Sequence, residues 1–222
     1  METIKYKKHF NMENCPNCQV KMTGMFNNNF LLSKDKNNLI NVFSGNPETQ
    51  YCNKCGEDLY LETRLLITTE KNNLLKEIEK LIFKIPVISI QAPLNWDYEI
   101  LDMITGQTTT GTGVISEFTS TFSDIFGVQS ERFNKKLKNG EDLCFTQLRK
   151  KTIDIGGNAV IATDIDYSEI GGDKGMLMVC MGGTAVKLKN LEILGEERSR
   201  DITRLTEINS RFNYLSTFPL DL

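Results

Sequence analysis

The sequence predicts an α+β protein, with a small cysteine-containing module at the amino-terminal end and a larger domain of strands and helices after it. Three observations support this fold class. Two Cys-x-x-Cys pairs lie before residue 56. Several later segments alternate apolar and polar residues, as strands do. Others repeat apolar residues every three or four positions, as helices do.

The cysteine pairs, Cys15–Cys18 and Cys52–Cys55, have the spacing of a metal site. Each turn directs two thiolates at one ion, and two turns complete the tetrahedral shell of a structural zinc site. We therefore expect a zinc ribbon whose closed shell leaves no coordination position for catalysis. Apolar residues in the long spacer predict its strands, at Phe26, Phe30–Leu32, Leu39–Ile40 and Val42–Phe43.

Other uses of paired cysteines stay open, namely two disulfides, a redox-active dithiol and a rubredoxin-like iron site. Residues 1–8 are followed by no apolar run, so no signal peptide is visible and a reducing, cytoplasmic compartment is expected. A redox motif would be a single pair beside a βαβ unit. His9, the one histidine, is a candidate extra ligand or a plain surface residue.

Length and composition indicate a globular chain of two domains, because 222 residues with 40% hydrophobic and 25% charged residues can bury one good core plus a small module. A net charge of −3 gives no overall attraction to nucleic acid or anionic membrane. No segment has the apolar length needed to span a bilayer.

Four segments alternate or are rich in branched residues, and each is predicted to be a strand: 87–92, 98–104, 158–167 and 176–188. Four others have helical periodicity: 73–84, 118–126, 130–153 and 202–215. Pro86 ends the first helix. A Thr- and Gly-rich loop from Thr105 leads into the second helix, and the turn 171–175 joins the last two strands.

The block 156–188, together with Tyr98–Ile100 and Ile104–Gly106, resembles the YbjQ-like family, also described as a heavy-metal-binding domain. The resemblance covers about residues 86–190. It implies an α/β fold similar to the dodecin subunit, in which a curved antiparallel sheet wraps helices. It also implies a ring of protomers, expected to be a homopentamer, and no established catalytic activity.

Four regions follow from these patterns. The expected order is a zinc ribbon at 1–62, a linker helix at 63–85, the YbjQ-like domain at 86–190 and a helical tail at 191–222. The tail and the ribbon lie outside the family resemblance.

Two aspartates are the candidate ligand residues of the larger domain. The strand period of two places Asp164 and Asp166 on one face, with Thr163, Ile165 and Tyr167 on the other. Neighbouring carboxylates repel unless something neutralises them, so in a ring they would either bind a hard cation such as magnesium or calcium or form hydrogen bonds to neighbouring protomers. The alternative is that they are solvated or accept hydrogen bonds from loop amides.

The loop after Thr105 is a second candidate ligand site, because free amides and the hydroxyls of Thr105 and Thr108 precede a predicted helix and could bind a small anion at its amino terminus. It lacks the lysine of a P-loop, and a capped structural loop is the alternative. Cys144 and Cys180 are predicted to be core cysteines, so the thiolates needed for a soft metal are missing from this domain.

These features predict a non-enzymatic, oligomeric zinc-binding protein, a ring that presents its ribbons to a protein partner as a binding or scaffold module. One alternative is binding of a small ligand or metal cation between protomers. Another is nucleic-acid binding through the ribbon, whose lysines are diluted by acidic residues and lack interleaved aromatics. No set of residues suited to catalysis is evident, so an enzyme is not expected.

Overall fold

A computed structural model gives the fold of the chain, and it describes residues 12–22, 28–45, 49–110, 128–170 and 176–220. The chain divides into two compact units. One comprises Met1–Asn73 and Phe212–Leu222, and the other comprises Leu74–Arg211. We call the described residues between 12 and 60 the cysteine module.

Helix α1, Lys34–Ser44, lies between the two cysteine pairs. The strands predicted at 39–43 are therefore wrong. The Ser33 side chain accepts a hydrogen bond from the Lys36 amide at the start of the helix, and Gly45 ends it in the left-handed conformation. Leu39 and Ile40 are buried. Phe26, the first predicted strand residue, lies outside the described residues.

Helix α2, Asn53–Leu81, starts directly after Cys52. The helix predicted at 73–84 is thus the end of a much longer helix. A 3₁₀ turn, Ile82–Lys84, follows it, and Pro86 lies shortly after. Ile67, Ile78 and Ile82 are buried at helical spacing.

The larger unit contains three strands in an antiparallel sheet, in the order β1–β3–β2. The strands are β1 (Tyr98–Thr110), β2 (Ala159–Ile170) and β3 (Met176–Leu188). Helix α3, Val128–Asp154, and helix α4, Glu196–Ser216, lie where the periodicity predicted them. Within the described residues the architecture is therefore four α-helices and an open three-stranded sheet, which confirms the α+β fold class.

Two segments differ from the prediction. Residues 87–92 form an isolated parallel bridge, Val87 to Val160, instead of a strand. Strand β1 continues to Thr110, so the loop predicted from Thr105 is strand over its first residues. The predicted helix at 118–126 and the turn at 171–175 lie outside the described residues.

Helix α3 covers one face of the sheet. Cys144 and Leu148 pack there against Val160, Val179 and Met181. The helix approaches β1 so closely at Gly106 that an added Cβ would lie 2.8 Å from the Cys144 carbonyl oxygen. A glycine is needed at this point because α3 leaves no room for a side chain.

Among the residues that the structure describes, the other face of the sheet is covered at one end only. Ala159, Ile161, Val186 and Leu188 form a second buried cluster there, with Trp96 and other residues packed against it. Further along β1, Met103 is 73% exposed. This uncovered part is called the open sheet face.

A β-bulge in β2 sets which residues reach the open sheet face. Ile161 pairs with Thr184 and Asp164 pairs with Gly182, so two residues of β2 face one residue of β3. Ala162, in this bulge, has a φ of 52°. The extra residue shifts the alternation of β2 by one position. Asp164 consequently lies on the same side as Ile161.

Candidate metal centre

The four predicted ligands come together. The sulfurs of Cys15, Cys18, Cys52 and Cys55 all lie within 4.8 Å of one another. Three of the sulfur–sulfur distances, Cys15–Cys55, Cys18–Cys52 and Cys52–Cys55, are 3.7 Å. A tetrahedral zinc site with bonds of about 2.3 Å has edges of about 3.8 Å. The sulfurs are thus spaced for one shared ion and are far apart compared with a disulfide of about 2.05 Å.

The first pair lies in a tight turn. The Cys15 amide donates to the Val20 carbonyl, and the Gln19 amide donates to the Cys15 carbonyl. Gln19 has a φ of 60°, which lets the chain reverse within these few residues. Just outside the turn, Asn14 and Lys21 form a single antiparallel bridge. This short hairpin is the part of the module that corresponds to a ribbon strand pair.

The second pair lies at the start of α2. The amides of Cys55 and Gly56 both donate to the Cys52 carbonyl. These hydrogen bonds hold the two cysteines of the second pair in one helical turn. The chain before it is held by Leu31, which bridges to Cys52, and by the Asn53 amide, which donates to the Phe30 carbonyl.

Asn37 of helix α1 braces the second pair. Its side-chain amide donates to the Leu32 carbonyl at 2.9 Å and the Ser33 carbonyl at 3.1 Å, and its Oδ1 accepts from the Tyr51 amide at 2.8 Å. Asn37 is buried, with 7% exposure. It thereby fixes the residue directly before Cys52. Sequence analysis did not identify Asn37, because nothing in an isolated Asn-Asn dipeptide indicates which amide is buried.

Gly56 is required by packing beside the cysteines. An added Cβ would lie 2.5 Å from Leu32 Cδ1 and 2.6 Å from Tyr51 Cβ. Real Cβ atoms are never so close to other carbons, so a larger residue would push apart the segments that carry the second pair. The spacing Cys-x-x-Cys-Gly signals this glycine in the sequence.

Asn17 links the two pairs directly. Its side-chain Nδ2 donates to Cys55 Sγ at 3.5 Å, from the middle of the other Cys-x-x-Cys turn. Hydrogen bonds to ligand atoms from a second shell of residues fix the ligands and tune the metal. Sequence analysis missed this role as well, since nothing in the tetrapeptide Cys15–Cys18 indicates that its asparagine reaches the other cysteine pair.

The thiols of the cluster do not ionise independently. Burial disfavours the thiolate of Cys15, but backbone hydrogen bonds from Cys18, Asn17 and Cys52 outweigh it and lower the Cys15 pKa to about 6. The Val20 backbone favours the thiolate of Cys18, yet desolvation and the neighbouring cysteine sulfurs raise the Cys18 pKa to about 12. A dication removes this conflict, because it lets all four sulfurs bind as thiolates and release their protons.

The two candidate aspartates lie together as predicted. Asp164 and Asp166 line a groove of about 470 Å³ on the open sheet face, together with Thr105. Gly182 of β3 pairs with Thr105 on one side and with Asp164 on the other. Within the described part of the chain, the one atom within 4 Å of a Cβ added at Gly182 is Met103 Cε, at 3.9 Å. The opposite face takes Ile165 and Tyr167, whose hydroxyl donates to Glu141 of α3.

Thr108 does not join this groove. Its Cγ2 lies 3.3 Å from the position of a Cβ on Gly140 of α3, so it faces the helix. Thr105 and Thr108 are three positions apart in a continuous strand, and a period of two puts them on opposite faces. The pair was chosen on the assumption of a loop, and that assumption was wrong for this segment.

The two remaining cysteines differ from each other. Cys144 is fully buried, as predicted, and its thiol donates to the Val179 carbonyl at 3.4 Å. Burial raises the pKa of the Cys144 thiol, and Cys180 adds to the effect. Cys180 is only partly buried and lines the groove, so its prediction as a core cysteine was wrong. His9 lies outside the described residues.

Together these features define an α+β protein whose amino-terminal region holds four cysteine sulfurs at the spacing of a metal site. Residues 95–189 match the model of the YbjQ-like family, whose description is "Putative heavy-metal-binding". The matched residues coincide with most of the segment, 86–190, in which the sequence resembles this family. The match begins at residue 95, well after the four cysteines, which lie in a different part of the chain.

Solved structures that are similar to part of this chain include one from a bacterium. It is the crystal structure of a DUF74-family protein of unknown function from Pediococcus pentosaceus, with a TM-score of 0.35 and 16% sequence identity. The similarity covers 47% of this chain and 98% of that chain. Among the helices that the structure describes, none is long and apolar enough to cross a membrane.

Proposed function

We propose that this protein is a non-enzymatic zinc-binding protein whose amino-terminal cysteines hold one structural zinc ion. The observation that carries the proposal is the 3.7 Å spacing of sulfurs from two separate Cys-x-x-Cys turns. A four-thiolate shell is closed, so the ion would stabilise the module and leave no position for substrate. The acidic groove residues alone offer little acid–base chemistry, which supports a binding role over an enzymatic one.

We further propose that the YbjQ-like domain assembles into a ring, with a homopentamer as the form implied by the family resemblance. The ring would present several zinc modules to a protein partner in the cytoplasm. Repetition would raise the avidity for such a partner without strong single contacts. Lys36 of the module is paired with Glu57 at 3.0 Å, so it contributes little free positive charge for nucleic acid.

Native mass spectrometry with elemental analysis of freshly purified, reduced protein tests both parts. We expect one zinc per chain and a mass of several subunits. Iron in place of zinc would refute the metal assignment, and absence of any metal would refute the centre itself. A monomer at low concentration would refute the ring while leaving the zinc assignment standing.

Binding of a hard cation or small ligand is a second candidate function, because Asp164, Asp166 and Thr105 share one groove. Calcium and magnesium prefer such oxygen ligands. The double substitution Asp164→Asn and Asp166→Asn should abolish calcium uptake measured by calorimetry and leave the subunit number unchanged. Glu99→Gln, an exposed carboxylate of β1 outside the groove, is the matched control. Uptake that survives the double substitution would refute this site.

A further inference from the structure

Within the described part of the chain, the sheet has two outer edges, on β1 and on β2, and their backbone groups are used differently. On β1, the Gln107 amide donates to Oε1 of Gln147 on α3, and the Gln107 carbonyl accepts from its Nε2, each at 3.0 Å. Lys151 of α3 donates to the Thr105 carbonyl at 2.7 Å. Side chains of α3 thus occupy backbone groups with which another strand would pair.

The outer edge of β2 is covered only as far as the bulge. Segment 86–90 bonds to this edge up to Thr163, whose amide donates to the Ile88 carbonyl. After the bulge, residues 164–170 pair with β3 on one side, and no described strand or loop bonds to their backbone on the other. A free edge of this kind is a template for a further strand.

The strand register shows which backbone groups of this free edge point away from the sheet. In antiparallel strands, alternate residues direct both amide and carbonyl toward the same neighbour. Gly106, between the outward-bonded residues of β1, pairs with Met181, so the two neighbours of Met181 bond to β2. Their partners in β2 are Asp164 and Asp166. Ile165, which lies between these two, therefore directs its amide and carbonyl outward, as does every second residue after it.

The free edge of β2 is acidic on both faces of the sheet. Asp164 and Asp166 are exposed on the open sheet face, and none of the described residues that line the groove beside them is basic. On the other face, the hydroxyl of Tyr167 donates to Glu141 of α3 at 2.9 Å. Lys138, exposed one turn earlier on α3, offsets part of the Glu141 charge. The charge that remains along this edge is negative.

These features disfavour a second copy of this chain as the added strand. Pairing β2 with the β2 strand of a copy would bring four carboxylates, two from each chain, onto one face of adjacent strands. Pairing it with the β1 strand of a copy would require Gln147 and Lys151 to release the β1 backbone. A strand that carries basic side chains has neither cost.

We propose that the outer edge of β2, residues 164–170, is a docking site for an extended segment of a partner protein that carries lysine or arginine at alternate positions. The segment adds to the sheet as a further strand and bonds to the outward backbone groups of Ile165 and Tyr167. Its basic side chains lie on one face, where they reach Asp164 and Asp166. The same carboxylates reject copies of this chain. The site depends neither on the metal centre nor on the ring.

Calorimetric titration of the full-length protein with two synthetic eight-residue peptides tests the charge requirement. One peptide alternates lysine and valine, and the other alternates glutamate and valine. We expect only the lysine peptide to bind, and to bind at least tenfold more weakly to the double variant Asp164→Asn, Asp166→Asn. Glu99→Gln, which removes an exposed carboxylate of β1 outside the groove, should bind it as the wild type does. No binding of the lysine peptide, equal binding of both peptides, or an undiminished affinity in the double variant would overturn the proposal.

A third peptide separates strand addition from simple attraction of charges. Lysines opposite Asp164 and Asp166 leave the valines opposite Ile165 and Tyr167, so the valine amides are those that bond to β2. N-methylation of every valine amide keeps the charge and should abolish binding.

Amide hydrogen exchange locates the added strand. The lysine peptide should slow exchange at Ile165 and Tyr167 at least tenfold and leave the Gln107 amide on the β1 edge unchanged. Equal affinity of the N-methylated peptide, or unchanged exchange at Ile165 and Tyr167, would overturn the proposal. Slow exchange of these two amides before any peptide is added would show that a second copy already covers the edge, which would overturn it as well.

Discussion

Replacing Asn37 by alanine tests how the second cysteine pair is positioned. The substitution removes a buried side chain that makes three hydrogen bonds, to the Leu32 and Ser33 carbonyls and from the Tyr51 amide. It touches no sulfur and changes no charge. Any effect on metal binding must therefore pass through the chain segments that precede Cys52.

The expected loss follows from these contacts. A typical intramolecular hydrogen bond contributes about 1 kcal/mol, and a buried group left without a partner costs about 1–3 kcal/mol. Losing three bonds, with the Tyr51 amide left unpaired, should destabilise the cysteine module by about 3 kcal/mol. Because folding of such a module is coupled to metal binding, the same loss should weaken the apparent zinc affinity roughly 100-fold.

Competition with a chromogenic chelator of known affinity measures this change. Asn38→Ala is the matched control, since Asn38 is the next residue of α1 and is exposed. We expect Asn38→Ala to bind zinc as the wild type does. Equal zinc affinities for the two variants would show that Asn37 does not brace the site, and the reasoning from hydrogen bonds would be refuted.

Three further predictions concern the metal centre and the sheet. Removal of the metal by a chelator, or the substitution Cys52→Ser, should speed amide hydrogen exchange throughout the cysteine module and leave exchange in the sheet unchanged. Cys52→Ser should also abolish zinc binding. Faster exchange in the sheet as well would contradict the division of the chain into two compact units. Asn17→Ala should keep one zinc but release it roughly tenfold faster to a chelator, with Asn14→Ala as control. Gly106→Ala should destabilise the larger unit by about 1–3 kcal/mol in urea unfolding, and Gly182→Ala should not, because only Gly106 lies against a helix backbone.

The metal ligands were predictable from the sequence because their chemistry is local. A Cys-x-x-Cys turn brings its two sulfurs together whatever surrounds it, and the four sulfurs of two such turns complete the tetrahedral shell of one ion. The residues that support the ligands were not predictable. Asn37 and Asn17 act across the fold, and their roles depend on which chain segments the metal centre brings near them.

Helix α1 shows a different limit. Leu39, Ile40, Val42 and Phe43 form a short apolar run, and periodicity alone does not separate a strand from a buried helix in so short a run. The residues that flank this run do indicate a helix. Ser33 is a favourable amino-terminal cap and Gly45 a favourable end, and together they delimit a helix of the observed length.

The positions of the strands were predicted more closely than the face of the sheet on which each side chain lies. Alternation identified β2 and β3, and the resemblance to the YbjQ-like family pointed to the same strands. The alternation of apolar and polar residues could not reveal the bulge between Ile161 and Asp164. A bulge moves every later residue to the other face of the sheet, yet the residues on either side of it still alternate. Asp164 and Asp166 lie on the same face as predicted, since both follow the bulge. The assignment of Thr108 to the site was wrong because it assumed a loop where the structure has a strand.

Three sets of contacts position the cysteines of the cysteine module. We therefore expect the stability of the module to depend on more than its four ligands. The first pair is fixed by a hairpin turn, the second by the start of α2, and Asn17 joins them by a side-chain hydrogen bond. Helix and metal support each other at the second pair. The hydrogen bonds of the first turn of α2 hold Cys52 and Cys55 in place, and the negative charge of metal-bound thiolates would stabilise the positive end of this helix. Loss of the ion should therefore weaken the beginning of α2 even where its apolar side chains remain buried.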